Sequence, residues 1–192
     1  MNDLQAGLHL SEAACHALCD ALPRTRTLAA AMQAVERVRQ AALGDGLLTV
    51  SLNLSVQELP PSDGGIAADI DSLTLQRVWT SNPEAYPVAG RKRKTLTPWT
   101  RQLLLGAQVF VGEGDAVLRE VFHDHALIAS LGLRSVVNIP LLDAQGRCFA
   151  TFNALGPRPQ WAPENVWLLR LLATLATPAV QRSAQALEPL PA

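Results

Sequence analysis

The chain has 192 residues, of which 48% are hydrophobic and 17% charged, and its net charge is −1. That is the size and composition of one globular domain with a dry core, and it excludes a disordered segment. Near-neutral charge gives no general attraction to nucleic acid or to an anionic membrane surface.

No run of the sequence approaches the roughly 18 apolar residues of a membrane span, and the first residues lack the basic start and apolar stretch of a secretory leader. A cytoplasmic location is the expectation. Cys15, Cys19 and Cys148 are an odd set that cannot complete a disulfide framework, and they read as small buried hydrophobes.

In chain order, Leu10 to Ala42 reads as helix with a break near Pro23, opened by Ser11 as N-cap. After the break, Leu28, Met32, Val35, Val38 and Ala42 recur at helical spacing, and Glu36, Arg37 and Arg39 fall elsewhere on the wheel. Gly44-Asp45-Gly46 ends this helix and leads into a strand from Leu47 to Leu54. Leu48, Val50, Leu52 and Leu54 point one way along it, and Thr49, Ser51 and Asn53 the other.

Gln57 to Ile70 carries turn chemistry, and Ser72 to Thr80 is a second strand, the hairpin partner of the first. Trp79 reads as a core or rim aromatic, with stacking on a ligand as the alternative. Asn82 to Thr97 is a long connection that contains Tyr86 and the run Arg91-Lys92-Arg93-Lys94. Four consecutive cations read as a solvated loop, and the alternative folds Arg91 or Lys92 inward onto a ligand carboxylate or phosphate.

Thr97 and Pro98 open a helix that runs to about Gly106. A short strand from Gln108 to Val111 and a helix from Asp115 to Phe122 follow. In His123-Asp124-His125, consecutive residues do not readily converge on one ion, so no metal site is expected. Asp124 reads as the cap of a helix from His125 to Leu131, which Gly132 stops in a left-handed conformation.

Two strands, Ser135 to Leu142 and Arg147 to Ala154, flank the turn Asp143 to Gly146. On the first, Val136, Asn138 and Pro140 share a face. On the second, Phe149, Thr151 and Asn153 share one face, with Cys148, Ala150 and Phe152 on the other. Short amides and hydroxyls set among apolar residues suit the floor of a ligand pocket, and buried polar groups bonded to backbone are the competing explanation. The last helix starts near Pro163. Its stripe Val166, Leu169, Leu172, Ala173, Ala176 and Val180 is widened by Leu168, Leu171 and Leu175 beyond what one packing face needs, which favours a partner helix.

These residues carry a family resemblance. SLGLRSVVNIPLLDAQGRCFATFNAL resembles the C-terminal hairpin of a GAF domain, the small-molecule-sensing relative of the PAS fold. SNPEAYPVAGRK (Ser81 to Lys92) and FHDHALIASLG (Phe122 to Gly132) resemble a bacterial subfamily of short single-domain GAF proteins. The resemblance spans Leu10 to Arg182.

It implies an α+β fold: a central antiparallel β-sheet with N- and C-terminal helices on one face and a lid of loops and helices over a pocket on the other. Residues 10–184 would form the domain, with 1–9 an extension and 185–192 a flexible tail. The function implied is a cytoplasmic sensory module that binds a small molecule, forms a homodimer through its first and last helices, and acts through a separate partner.

The ligand-binding set expected is Ser51, Asn53, Tyr86, Arg91, Trp99, Phe122, His125, Asn138, Thr151 and Asn153. No catalytic residue, metal, cofactor, nucleic acid or membrane partner is expected. One GAF-like family reduces free methionine sulfoxide with cysteines on loops around the pocket. Here no cysteine falls in the lid, which weighs against that enzyme and against a covalently anchored tetrapyrrole. A dimerisation module without ligand is the third reading.

Overall fold

The computed structural model describes residues 11–59 and 72–187. The expected extension over 1–9, most of the expected loop before Ile70 and the end of the tail lie outside these residues. In chain order the elements are α1 (Glu12–Ala21), α2 (Leu28–Leu43), β1 (Leu47–Asn53), β2 (Ser72–Thr80), β3 (Arg91–Thr95), α3 (Pro98–Thr100, continued by a π-helical turn over Arg101–Leu105), β4 (Phe110–Glu113), α4 (Gly114–Val121), α5 (His125–Ser130), β5 (Ser135–Leu142), β6 (Cys148–Gly156) and α6 (Pro163–Gln185). They group into two compact units, one formed by the segments before Leu47 and after Gln160, the other by Leu47–Gln160.

The first unit is helical. Ser11 Oγ accepts from Ala14 N at 3.1 Å and caps α1. Pro23 sits in a 3-10 turn, Leu22–Arg24, which gives the expected break. α2 turns Ala31, Met32, Ala34, Val35 and Val38 inward, and α6 turns in Leu168, Leu169, Leu172, Ala173, Ala176, Ala179 and Val180. α2 packs on α6 and α1 on α2.

The helical wheel placed Arg39 away from the apolar stripe, yet it is 1% exposed. Its own turn satisfies it. Nε and Nη2 donate to the two Glu36 carboxylate oxygens at 2.7 and 2.8 Å, and Nη1 donates to the Gly44 carbonyl at 3.1 Å. Leu171 and Trp167, in contrast, are 51% and 65% exposed.

The second unit is a six-stranded sheet in the order β3-β2-β1-β6-β5-β4. Every neighbouring pair is antiparallel, and helices accompany the sheet in an α+β arrangement. β1 pairs with β2 as expected, and also with β6, so that Thr49 lies opposite Asn153 and Ser51 opposite Thr151. On β5, Asn138 lies opposite Asn153. The turn after β5 is held by Asp143, whose Oδ1 accepts from Gln145 N and Arg147 N at 2.9 Å each, and by Gly146 at φ +75°.

Two features differ from the sequence reading. The cationic run is a strand, not a loop: β3 pairs with β2, Leu75 opposite Lys92 and Leu73 opposite Lys94. A short, charged strand is a stable way to finish a sheet edge, because its cations discourage further pairing. The other difference is a β-bulge at Leu141/Leu142. The extra residue shifts the alternation, so Cys148 joins the buried cluster of Leu73, Leu75 and Trp99 instead of sharing a face with Ala150 and Phe152.

A second buried cluster in the unit contains Leu47, Tyr86, Leu118, Ile128, Leu133, Val136 and Leu155. Fully burying each such side chain stabilises by roughly 1.5–3 kcal/mol. Among the described residues no helix is long and apolar enough to cross a membrane.

Candidate functional site

A cavity of about 80 Å³ lies within the Leu47–Gln160 unit. A single water needs roughly 10–15 Å³ on this scale, so several waters or one compact ligand fit.

Its floor is the period-two face of the three central strands. Thr49 and Ser51 of β1, Thr151 and Asn153 of β6, and Asn138 of β5 all line it. All but Ser51 are joined, with Trp99, in one hydrogen-bonded chain. Trp99 Nε1 donates to Asn138 Oδ1 at 2.9 Å, and Asn138 Nδ2 donates to Asn153 Oδ1 at 2.8 Å. Asn153 Nδ2 then donates to Thr151 Oγ1 at 3.0 Å and to Thr49 Oγ1 at 3.3 Å. Each amide is thereby fixed in orientation. The two threonine hydroxyls accept, and each keeps its own O–H free to rotate toward the cavity.

The cover comes from the middle of the chain. Thr97 Oγ1 accepts from Thr100 N, and Thr100 Oγ1 accepts from Thr97 N at 2.6 Å; this reciprocal cap places Trp99. Trp99 meets Phe122 edge to face, with centroids 5.9 Å apart. Tyr86 is set by a turn in which Asn82 Oδ1 accepts from Ala85 N at 3.1 Å and Asn82 O accepts from Tyr86 N at 3.0 Å.

The wall toward the sheet edge is charged. Arg77 of β2 and Lys92 and Lys94 of β3 line the cavity, together with one carboxylate, Asp124. Arg77 Nη1 donates to Pro87 O at 3.0 Å and its guanidinium lies over the Tyr86 ring, 4.8 Å from the centroid. Lys94 Nζ lies 5.0 Å from the Trp99 centroid. Lys92 Nζ donates to Asp124 Oδ2 at 2.9 Å.

Burial pushes the Lys94 ammonium down, and the neighbouring Lys92 charge adds to this. Burial pushes the Asp124 carboxyl up, but the Lys92 hydrogen bond and the charges of Lys92 and Lys94 outweigh it, so the net displacement is downward. Burial and the nearby Asp124 charge raise the Tyr86 hydroxyl, which therefore stays protonated. The Asp124 carboxylate is near enough to favour the protonated phenol as an acceptor, although the two do not form a well-shaped hydrogen bond.

Of the residues expected from the sequence, Ser51, Tyr86, Trp99, Phe122, Asn138, Thr151 and Asn153 line the cavity; Asn53, Arg91 and His125 do not. Asn53 is spent on the strand end, donating to Cys148 O and accepting from Ser55 N. Arg91 points to the other face of β3, where its Nε donates to Gln76 Oε1 at 3.0 Å. His125 Nδ1 is bonded to Phe122 O at 3.0 Å. Asp124 occupies the first position before α5 but makes no capping bond, and its side chain serves Lys92 instead.

The sequence reading missed Arg77, Lys94 and Asp124. A signal for the lysines existed in the two-residue spacing of Lys92 and Lys94, which puts both on one face once the run is a strand. No cysteine lines the cavity. Burial pushes the Cys148 thiol up to about 12, so it is an unreactive thiol at neutral pH.

A comparison with curated protein sequences finds no match. Solved structures match over almost the whole chain. The GAF domain from an Acinetobacter phosphoenolpyruvate-protein phosphotransferase aligns with TM-score 0.60 and 10% identity, covering 92% of this chain and 98% of that one. The free methionine-R-sulfoxide reductase from Neisseria meningitidis, in complex with its substrate, aligns with TM-score 0.55 and 18% identity over 92% of this chain and 95% of that one. The chromophore-binding domain of a bacteriophytochrome from R. palustris aligns with TM-score 0.58 and 12% identity over 91% of this chain, which spans 62% of that structure's length. Identities this low speak for the fold alone. The sequence profile of the GAF domain, however, matches residues 23–180, and with the antiparallel sheet and covered cavity described above it places the chain in the GAF-domain family, a family of sensory and ligand-binding folds.

Proposed function

We propose that this protein is a sensory or regulatory GAF module: it binds one small molecule in the cavity of the Leu47–Gln160 unit, forms a homodimer, and acts on a separate partner. The observation that supports ligand binding most strongly is the floor. Trp99, Asn138, Asn153, Thr151 and Thr49 form an oriented hydrogen-bond chain beneath a cavity of about 80 Å³. A purely structural buried network has no need of open space above it. Ser51, Tyr86, Trp99, Phe122, Asn138, Thr151 and Asn153 are the proposed contacts.

A thermal-shift screen with amino acids, purines, carboxylates and cyclic nucleotides tests the reading. A ligand at 100 times its dissociation constant stabilises by about 2.7 kcal/mol. A flat response across the panel overturns it.

The homodimer rests on the apolar excess of α6, where Trp167 and Leu171 stay exposed in the single chain. Sedimentation measures it: a dimer is expected for the natural chain and a monomer for Leu171→Glu. An oxidoreductase of the methionine sulfoxide type is the weaker reading, since Cys148 is buried and the other two cysteines belong to α1.

A further inference from the structure

Building on the receptor reading above, we propose that the cavity selects a compact anion, a carboxylate or a phosphate, held by Arg77, Lys94 and the Tyr86 hydroxyl, with Asp124 on Lys92 as the group the anion competes with.

Charge balance gives the sign. Three cations line the cavity against one carboxylate, and that carboxylate is already engaged by Lys92 at 2.9 Å. Arg77 and Lys94 have no carboxylate within ion-pair distance among the described residues. The floor beneath them offers neutral amides and hydroxyls, and Asp124, whose charge Arg77 and Lys94 both feel, is one carboxylate shared among three cations. An anion balances the remaining charge with charge-assisted hydrogen bonds, which are the strong ones.

Unmet hydrogen bonds give the same sign independently. Arg77 Nε is buried and has no hydrogen-bond partner, and the Tyr86 hydroxyl, in a residue 6% exposed, has only the Asp124 carboxylate near it and no well-formed hydrogen bond. Buried polar groups are ordinarily satisfied, and an orphan costs free energy. Both orphans are donors: Nε carries a hydrogen, and the phenol stays protonated because burial and the Asp124 charge raise its ionisation. The ligand that meets two donors beside unpaired cations is an acceptor with negative charge. A cationic or purely apolar ligand would leave both orphans unmet and add repulsion or a desolvation cost.

Specific positions make this selective. Lys92 and Lys94 reach the cavity because β3 alternates, and Arg91 and Arg93 point away and bond Gln76 and Ser72. Arg77 also ties down the loop through Pro87 O, so its replacement disturbs more than charge. Lys94, on the edge strand with its ammonium over Trp99, is the cleaner site to test.

The experiment is titration calorimetry on the full chain with matched probes: butyrate against butyramide, succinate against succinamide, and inorganic phosphate. At least one anion is expected to bind about tenfold or more tightly than the neutral amides, since each acid and its amide share a shape and differ in charge. Lys94→Gln is expected to weaken the anion about tenfold and the neutral amides far less, and Tyr86→Phe is expected to weaken the anion as well. Asp124→Asn is expected to tighten it, because Lys92 is released from its competitor.

Phosphate binding without carboxylate binding assigns the phosphate class, and the reverse assigns the carboxylate class. Amides that bind as well as their acids overturn the anion proposal and leave the receptor reading standing. An Asp124→Asn variant with weaker anion binding overturns the competitor role. Failure of every probe, charged and neutral, overturns the anion proposal, and the wider thermal-shift panel then decides the receptor reading.

Discussion

The molecule encloses one arginine fully and another partly, and it does so in opposite ways. In the helical unit, Arg39 has its Nε, Nη1 and Nη2 all bonded, to both oxygens of Glu36 and to the Gly44 carbonyl. In the sheet unit, Arg77 has one bond to a backbone oxygen, lies against an aromatic face, and keeps a buried Nε without a partner. A charge paired through both oxygens of a carboxylate, with every nitrogen engaged, is architecture. An incomplete one, placed at a cavity, is held ready for something that arrives from outside. Burial alone therefore does not separate structural from functional cations; the count of unmet donors does.

The largest effect is expected where the pairing is complete. Glu36→Ala leaves the Arg39 guanidinium buried and unpaired, and should cost roughly 3–5 kcal/mol in urea denaturation. Replacing both partners, as Glu36→Leu with Arg39→Met, should recover most of that loss, because the desolvation cost disappears along with the attraction. A Glu36→Ala loss below about 1 kcal/mol would mean the pair is solvated, and the contrast with Arg77 would weaken.

Next comes the cavity floor. Asn138→Ala removes the acceptor of the Trp99 indole and the donor to Asn153 together, at a cost of about 1–3 kcal/mol for the groups left unmet. Smaller still is Arg77→Met. It gives up one bond to a backbone carbonyl and a cation–π contact, about 1 kcal/mol in stability, while ligand binding is lost. The ordering Glu36→Ala, Asn138→Ala, Arg77→Met in stability, set against the reverse ordering in binding, is what chemical denaturation and calorimetry together should return.

The same contrast explains what the sequence could disclose. The floor was legible: Thr49, Ser51, Thr151, Asn153 and Asn138 alternate with large apolar residues, and period two is a strong local signal. The fold followed from the resemblance that the hairpin strands and the segments around them bear to GAF domains. The charged wall was not legible. In Arg91-Lys92-Arg93-Lys94 the two faces of the strand carry the same chemistry, so alternation leaves no contrast to detect, and strand formation depends on the unpaired edge of β2. Asp124 looks like a helix cap from its neighbours, but its partner is Lys92, 32 residues away. Arg39 failed in the opposite sense, since a wheel sorts residues by polarity and cannot see that Glu36 makes an arginine fit to be buried. Cys148 was assigned to the wrong face because one inserted residue inverts the alternation beyond it.

The weakest interaction in the wall has a sign that can be worked out. Asp124 is an acid whose carboxyl lies below its ordinary value of 3.8 in the folded chain. A depressed carboxyl stabilises the fold above its unfolded value, and that contribution is lost as pH falls through the lower, folded value. The Lys92–Asp124 bridge, with Lys92 about half exposed, contributes roughly 0–1 kcal/mol at neutral pH. Lys92→Met should therefore melt slightly below the natural chain at pH 7, with a gap that stays constant down to about pH 4 and closes below it. Added salt should shrink the gap, since a half-exposed pair is screened. A gap that persists unchanged below pH 3 would show that Lys92 stabilises by packing its stem, and that Asp124 is not held by it; the incoming anion would then have no competitor to displace.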